Sequence, residues 1–433
     1  MAKSTIINAS VVAIMLYTFP LLTSGVLNSG HVFAAEAEKR VAKKVPAMRN
    51  RVYTQLARAQ QIADGGDKIL GFEILDEVQD RIEQLNSYEK AMLWNFYGFM
   101  YYGNEDLDNA ISSFENVIAQ EAIPDTLYTS TVYSLAQLAM QQQDYVKALG
   151  FLNQWRANND KVLKSSQHIL FAQVHYQNKN YSETLAHVNN ALALSKLEGA
   201  QPKENWLILQ RAAYFELKQP EKVTEVMEEL VRLYQKPSYW LQLAGMYGEI
   251  GQEQKQLGTM ETAWQAGFVT KSSDIVMLAQ LYLFNKLPYK AATLLDDAIA
   301  QGLVVADEKR IQLLAQAYTM AKEDRKAIPV LVKGAEIADN GFFDEQLAQT
   351  YLNTQQWKLA IDSAKLAIKR GGLSNEGNMH LALGMAHFNL QEYGESITAF
   401  ESAKNHREIA KTATQWANYV EKEQSNKQRL TMN

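Results

Sequence analysis

One pattern of large and small residues recurs along most of this chain and constrains its fold more than any other feature. The first copy contains Trp94, Tyr97, Gly98, Tyr101 and Ala110. Large residues three and four apart form one apolar stripe on a helix, and the glycine and alanine are small where two helices cross closely. One helical hairpin cannot bury such a stripe alone, so consecutive copies must stack on one another.

The offsets in this pattern are those of the tetratricopeptide repeat, whose period is about 34 residues. The small residue of the second helix recurs at Ala110 and Ala148, 38 residues apart, and at Ala291, Ala327 and Ala360, 36 and 33 residues apart. The nine copies in register contain Tyr97-Gly98, Leu135-Ala136, Phe171-Ala172, Trp206 with Leu209, Leu243-Ala244, Leu278-Ala279, Leu314-Ala315, Leu347-Ala348 and Leu383-Gly384. The sequence predicts an all-α fold, a tetratricopeptide-repeat superhelical solenoid of about nine to ten hairpins with a C-terminal capping helix.

The N-terminus has the features of an export signal. Lys3 precedes an apolar stretch from Ile6 to Leu22, and Val32-Phe33-Ala34 places small residues at the −3 and −1 positions of a cleavage site. We predict a signal peptide over residues 1–34, cut after Ala34, and therefore a periplasmic protein. The alternative is an uncleaved signal anchor in the inner membrane, because basic residues follow closely at 39–44.

The remaining boundaries follow from changes in composition. Residues 35–48 are a charged linker, and residues 49–90 form a divergent N-terminal helical pair. The tetratricopeptide array occupies residues 91–405, and an amphipathic helix at 406–424 caps it. We predict that residues 425–433 are a flexible tail.

Composition excludes several classes of function. The chain has 43 Lys and Arg residues against 48 Asp and Glu residues, a net charge of −5, and no cysteine. A mildly acidic chain lacks the basic surface that nucleic-acid binding requires. Absence of cysteine excludes disulfide scaffolds, zinc ribbons, iron–sulfur clusters and thiol enzymes.

The search for catalytic chemistry gives one ambiguous feature. His168 and His175, and likewise His380 and His387, are seven residues apart and share a helix face. They could be metal pairs, or packing side chains with one hydrogen bond each. We favour packing, since no third ligand stands at a suitable spacing. With no nucleophile or acid–base set, we predict no enzyme activity, no cofactor and no metal.

The first helices of a tetratricopeptide array line its concave face, with offsets 2, 5, 9 and 12 pointing inward. Amides and tyrosines predominate there, and charges are few. The candidate groove residues are Asn95, Tyr102, Tyr133, Gln137, Gln173, Tyr176, Arg211, Tyr214, Gln280, Gln316 and Gln349. Amides can pair with both N–H and C=O groups of an extended peptide, and tyrosines supply rigid contact area. We predict a largely uncharged groove for a peptide segment or partner helix. The alternative is that the glutamines only solvate their helix or bond a neighbouring repeat.

Several stretches resemble one narrower family. They are Tyr88-Glu89-Lys90-Ala91, Pro202-Lys203-Glu204-Asn205-Trp206, Tyr239-Trp240-Leu241-Gln242-Leu243, Pro288-Tyr289-Lys290-Ala291-Ala292 and Lys369-Arg370-Gly371-Gly372-Leu373. Over most of residues 50–420 the chain is similar to the exported tetratricopeptide proteins encoded beside TonB systems in Gram-negative bacteria.

The resemblance implies a non-enzymatic periplasmic scaffold, an accessory component of a TonB/ExbB/ExbD energy-transduction system for iron-chelate uptake. The expected partners are proteins or peptides of that system, with membrane contact only through them or through an uncleaved signal anchor. No site residue carries over from the family. The alternative is a tetratricopeptide scaffold or co-chaperone for envelope assembly or polysaccharide export.

Overall fold

The computed structural model describes residues 39–41 and 43–432. All regular secondary structure in these residues is helical, and the chain divides into two compact units at Val162 and Leu163. The predicted signal peptide, its cleavage site and the start of the linker lie outside the described residues. No helix in the described part of the chain is both long and apolar enough to cross a membrane.

Unit 1 contains three helical hairpins. Its helices are α1 (Asn50–Asp64), α2 (Lys68–Gln79), α3 (Ser87–Gly103), α4 (Leu107–Ile118), α5 (Asp125–Gln141) and α6 (Tyr145–Ala157). The core of the first two hairpins is built around Leu56, Leu75, Leu93 and Tyr97, all buried. Of these four, Tyr97 belongs to the first copy of the sequence pattern.

Unit 2 contains seven hairpins and one final helix. Its helices are α7 (Ser165–Gln177), α8 (Tyr181–Leu197), α9 (Glu204–Glu216), α10 (Pro220–Tyr234), α11 (Pro237–Glu249), α12 (Glu253–Gln265), α13 (Ser272–Phe284), α14 (Pro288–Ala300), α15 (Glu308–Met320), α16 (Asp324–Ile337), α17 (Phe342–Asn353), α18 (Trp357–Arg370), α19 (Glu376–Asn389), α20 (Tyr393–Lys404) and α21 (Ala410–Met432). One continuous core runs from Ala244 to Ala399. The predicted all-α fold of stacked tetratricopeptide-type hairpins is confirmed.

Small residues stand where the two helices of a hairpin cross. A Cβ atom on Gly98 would lie 2.7 Å from the Phe114 ring, and one on Gly384 would lie 2.6 Å from the Phe400 ring. Both distances are shorter than van der Waals contact, so only glycine fits. The large residue of the second helix fills the space that the glycine leaves.

The turn between the two helices is the same in the nine hairpins from α3 to α20. One residue adopts a left-handed conformation, with φ of 59° at Lys286 and 69° at Gly251. The next amide donates to the carbonyl five residues earlier, as from Leu287 N to Tyr282 O at 2.8 Å. This is the Schellman ending of a helix. The left-handed residues are Glu105, Gln143, Lys179, Lys218, Gly251, Lys286, Lys322, Gln355 and Gln391.

Some helix ends differ from the predicted boundaries. Helix α3 begins at Ser87, within the range given to the N-terminal pair, because Asn86 and Glu89 form a reciprocal capping box ahead of it. Helix α21 continues past 424 to Met432, since residues 406–432 contain no glycine or proline to end it. The predicted linker is not free where it is described. Its basic side chains find carbonyl and carboxylate partners on unit 1.

Candidate interaction surfaces

The left-handed residues give each repeat an internal numbering. Taking that residue as position 15, counting back fourteen places starts the repeats at 91, 129, 165, 204, 237, 272, 308, 341 and 377. This register depends on backbone conformation rather than on the identity of any one side chain. It tests where each candidate groove residue lies on its helix.

In unit 1 the candidate residues divide into two kinds. Asn95 and Tyr102 on α3 and Gln137 on α5 are partly exposed. Tyr133 instead packs on Trp155 of its own hairpin, with ring centroids 5.0 Å apart. Burial raises the pKa of the Tyr133 hydroxyl. Tyr133 therefore contributes chiefly to the packing of helix α5 on helix α6.

In unit 2, Gln280, Gln316 and Gln349 occupy position 9 of three consecutive repeats, and all three are exposed. Gln316 Nε2 lies 3.9 Å from Met320 Sδ, and Gln349 Nε2 donates to Asn353 Oδ1 at 3.2 Å. These contacts to the next turn agree with the alternative that the glutamines solvate their own helix. One such bond uses only part of an amide, which has two N–H donors and a carbonyl acceptor.

Two further candidates lie one position away from where the sequence numbering put them. Because Lys218 is the left-handed residue, Arg211 is at position 8 and Tyr214 at position 11, rather than 9 and 12. Arg211 Nη1 lies 3.6 Å from Met227 Sδ and donates to Gln242 Oε1 at 2.5 Å. Tyr214 packs against the neighbouring apolar cluster. Both side chains thus take part in packing between helices.

Gln173 and Tyr176 on α7 keep their predicted positions, 9 and 12, and both are partly exposed. The Tyr176 ring meets the Tyr181 ring edge-on at 5.5 Å. Burial and the charge of Glu216 raise the pKa of the Tyr176 hydroxyl, with burial the larger cause. One side of the Tyr176 ring thus packs on Tyr181, and the rest of the side chain is partly exposed.

The sequence did not single out the apolar side chains that flank the glutamines. Met277 and Phe284 lie one turn either side of Gln280 on α13, and Phe284 is 65% exposed. Met320, 47% exposed, follows Gln316 on α15. We call Met277, Gln280, Phe284, Gln316, Met320 and Gln349 the glutamine patch. The apolar members of this patch could have been found in the sequence as large apolar residues at positions 6 and 13 of a repeat. The packing of a repeat does not require apolar residues at those positions.

The joints between repeats in unit 2 are polar and regular. The hydroxyls of Tyr247, Tyr282 and Tyr318 donate to Glu228, Glu261 and Asp296 of the preceding repeat at 2.6, 2.9 and 2.5 Å. Burial, and then the carboxylate that accepts the hydrogen bond, raises the pKa of each tyrosine. Each joint ties one first helix to the preceding second helix, and the joint from Tyr318 to Asp296 links the repeats that carry Gln280 and Gln316.

The histidines of helix α7 meet a third histidine from α8. His168 Nδ1 and His187 Nδ1 are 3.0 Å apart, and His187 stacks on Phe171 with centroids 4.8 Å apart. Burial, with the neighbouring His175 and His168, lowers the pKa of His187 to about 4. In the described part of the chain, no three His, Asp or Glu side chains are arranged to hold a metal ion.

The second histidine pair is engaged with carboxylates. His387 Nδ1 lies 2.6 Å from Glu392 Oε2, and His380 Nε2 lies 3.7 Å from Glu376 Oε1. Desolvation lowers the pKa of His380. Each imidazole therefore has its own partner on the same hairpin.

Fold and surface together define a class: the protein is an all-α repeat protein built from stacked tetratricopeptide-type hairpins. Residues 103–191 match the family model described as anaphase-promoting complex, cyclosome, subunit 3. No curated protein matches the chain.

Several solved structures are similar at low identity. A crystal structure of the MamA protein is 13% identical and covers 41% of this chain and 91% of its own, with a TM-score of 0.34. A tetratricopeptide repeat protein from Parabacteroides merdae is 15% identical over 61% of this chain and 98% of its own, with a TM-score of 0.35. The TPR2AB domain of yeast Sti1 is 13% identical over 62% and 98%, with a TM-score of 0.33. Each concerns the general fold only.

Proposed function

We propose that this protein is a non-enzymatic periplasmic scaffold that binds an extended peptide segment on the glutamine patch. The observation that carries the proposal is the recurrence of exposed Gln280, Gln316 and Gln349 at one position of three consecutive repeats. An extended peptide presents N–H and C=O groups at regular intervals. A row of amides can pair with both kinds of group, whatever the peptide sequence.

The apolar members of the patch would supply the greater part of the affinity. Phe284 and Met320 are large and well exposed beside the glutamines. Burial of apolar surface contributes roughly 25 cal/mol per Å², and methionine adapts its shape to different partners. The patch therefore suits a peptide with alternating apolar side chains.

The particular system we propose is a TonB/ExbB/ExbD energy-transduction complex for iron-chelate uptake, of which this protein would be an accessory component. Support comes from the resemblance carried by stretches such as Tyr239-Trp240-Leu241-Gln242-Leu243. The predicted signal peptide would deliver the chain to the compartment where TonB acts. The second candidate, a scaffold for envelope assembly or polysaccharide export, is favoured by the same export signal and repeat fold.

Crosslinking in living cells followed by affinity purification distinguishes these roles. The full chain is compared with a chain lacking residues 1–34. TonB-system proteins captured only by the full chain would support the proposal. Capture of envelope-assembly or export proteins in their place would refute the TonB role and favour the second candidate.

The patch itself is tested by changing Gln280, Gln316 and Gln349 to alanine together. Loss of three hydrogen bonds worth about 0.5–1.5 kcal/mol each should weaken capture of the same partner at least about tenfold. The matched control changes Gln265 and Gln301, which are exposed at the ends of second helices α12 and α14. Equal capture by both variants would rule out the glutamine patch as the binding surface.

A further inference from the structure

The segment before helix α1 lies along unit 1 and is attached to it at three places. The Arg40 amide donates to Asn158 Oδ1 at 2.8 Å. Asn86 Nδ2 donates to the Ala47 carbonyl at 2.9 Å, and Arg49 Nη2 donates to Glu89 Oε2 at 2.7 Å. We call the described residues 39–41 and 43–49 the strap. It spans from the end of α6 to the start of α3.

The Arg40 side chain is the buried end of the strap. Its Nη1 donates to the Ile123 carbonyl at 3.2 Å and lies 3.4 Å from Asp125 Oδ1. Its Nη2 donates to the carbonyls of Gln120, at 3.5 Å, and Glu121. The side chain is only 13% exposed. Three backbone carbonyls and one carboxylate therefore surround a single guanidinium group.

An aromatic ring completes the enclosure. The guanidinium carbon of Arg40 lies 4.7 Å from the centre of the Tyr128 ring. A cation at that distance from an aromatic face is attracted by the electron-rich ring, more strongly as water is excluded. Planar guanidinium groups stack on such rings better than ammonium groups do.

Contacts within unit 1 hold this site in shape independently of the strap. Gln154 Nε2 donates to the Tyr128 hydroxyl at 2.6 Å, and Asn158 Nδ2 donates to the Gln154 carbonyl at 2.8 Å. Ile123 anchors the loop between α4 and α5, since it is 1% exposed. The loop carbonyls follow the C-terminus of α4, the end of a helix that attracts cations. The Tyr128 ring is therefore positioned by bonds to residues of unit 1 that lie outside the strap.

The surroundings select a basic segment. Lys39 pairs with Asp160 at 2.8 Å, and Lys43 pairs with Glu121. Both pairs are exposed, so each contributes little energy but favours basic residues beside the arginine. Three carbonyls accept from both terminal nitrogens of the guanidinium group, which uses the fork of N–H donors that arginine has and lysine lacks.

We propose that unit 1 carries an arginine-recognition site for extended basic segments, which Arg40 occupies in the structure. Its ligand is a segment with arginine at the centre, a lysine before it and a lysine three residues after it. The strap is then an internal ligand that a partner's arginine must displace. This site lies in unit 1 and is independent of the glutamine patch in unit 2.

The test measures binding of a fluorescent peptide of residues 39–47 by anisotropy at 150 mM salt. The receptor is the chain lacking residues 39–44, which vacates the site, and it should bind the peptide at least tenfold more tightly than the unaltered chain does. The Arg40→Ala peptide should bind at least tenfold more weakly than the native peptide, and the Arg40→Lys peptide should fall between them.

Two receptor variants serve as further controls. Lys44→Ala changes an exposed basic residue outside the recognised pattern and leaves Arg40 in place, so this chain should resemble the unaltered one. Tyr128→Leu in the shortened chain removes the ring and should weaken binding several-fold, with an unchanged circular dichroism spectrum showing that unit 1 is folded. Equal binding of the native and Arg40→Ala peptides, or no binding to the shortened chain, would overturn the proposal. Either result would leave the glutamine patch unaffected.

Discussion

At the scale of single residues, the histidines illustrate how position determines chemistry. Two of the three imidazoles that meet between α7 and α8, His168 and His175, were visible in the sequence as a pair. His187 comes from the next helix and has the most strongly lowered pKa, about 4, because it is buried beside other histidines. A cluster of this kind favours neutral imidazoles, so it stabilises the fold only while they are uncharged.

We predict that unit 2 loses stability in mild acid partly through His187. In the unfolded chain its pKa is 6.5, and in the folded chain it is about 4. Between these values the unfolded chain binds a proton that the folded chain does not, so stability falls as the pH drops from 6.5 towards 4. Allowing for the partial exposure of the ring, the loss is roughly 1–2 kcal/mol.

Urea denaturation at pH 7.5 and pH 4.5 checks this for the unaltered chain and for His187→Phe, which keeps an aromatic ring beside Phe171. The variant should lose less of its free energy of unfolding on acidification. The same loss in both proteins would contradict the assignment to His187.

At the scale of the helical hairpin, the left-handed residue in each turn is the recurring constraint. Of the nine turns from α3 to α20, only that at Gly251 uses the residue best suited to this backbone, and the others use glutamate, glutamine or lysine. A residue with a Cβ atom is strained at positive φ. The turns persist because stacking of the hairpins fixes them from both sides.

Gly251 and Gly258 are close along the chain, but the first lies in a turn and the second within a helix. Changing each to alanine should therefore have opposite effects on stability. Gly251→Ala places a Cβ at φ 69° with no atom within 4 Å to clash, so strain alone should lower the free energy of unfolding by about 1 kcal/mol. Gly258→Ala lies within helix α12, also with open space, and should raise it by about 0.5–1 kcal/mol. Urea denaturation measures both, and shifts of the same sign would contradict this account of the turn.

At the scale of the whole molecule, the apolar face of the last hairpin in a stack must be covered so that it is not exposed to water. In unit 2 the final helix α21 covers it, burying Ala417 and Val420 against Phe400. Terminal elements of repeat arrays generally need a polar outer face for this reason. The outer side of α21 is correspondingly polar, with Glu421, Lys422 and Ser425 exposed.

We predict that Val420→Asp separates α21 from the last hairpin. Val420 is fully buried, so an unpaired carboxylate there should cost about 3 kcal/mol or more and expose the Phe400 cluster. The expected result is a lower unfolding midpoint and increased light scattering on warming. Ser425→Asp adds the same charge on the exposed side of α21 and should change neither by much; equal effects of the two variants would refute a capping role.

Much of this architecture was determined by the sequence alone. The repeat period, the all-α fold and the small residues at helix crossings depend on neighbours within about 40 residues, and they are repeated often enough for each copy to support the others. The exposed positions of Gln280, Gln316 and Gln349 follow from the same helical periodicity. They were therefore predictable without knowledge of the tertiary structure.

The features that depend on a single contact, rather than on one repeated along the chain, were decided only by the tertiary structure. Trp206 and Leu207 are adjacent apolar residues, so the sequence allows two alignments of this repeat that differ by one residue. The left-handed residue Lys218 selects the alignment in which Arg211 and Tyr214 pack between helices. The docking of Arg40 joins residues 80 and 83 positions apart. Its partners are mostly backbone carbonyls, which every residue has and no sequence pattern distinguishes. Periodicity specifies which face of a helix is buried, whereas a unique long-range contact becomes visible only when the chain has folded.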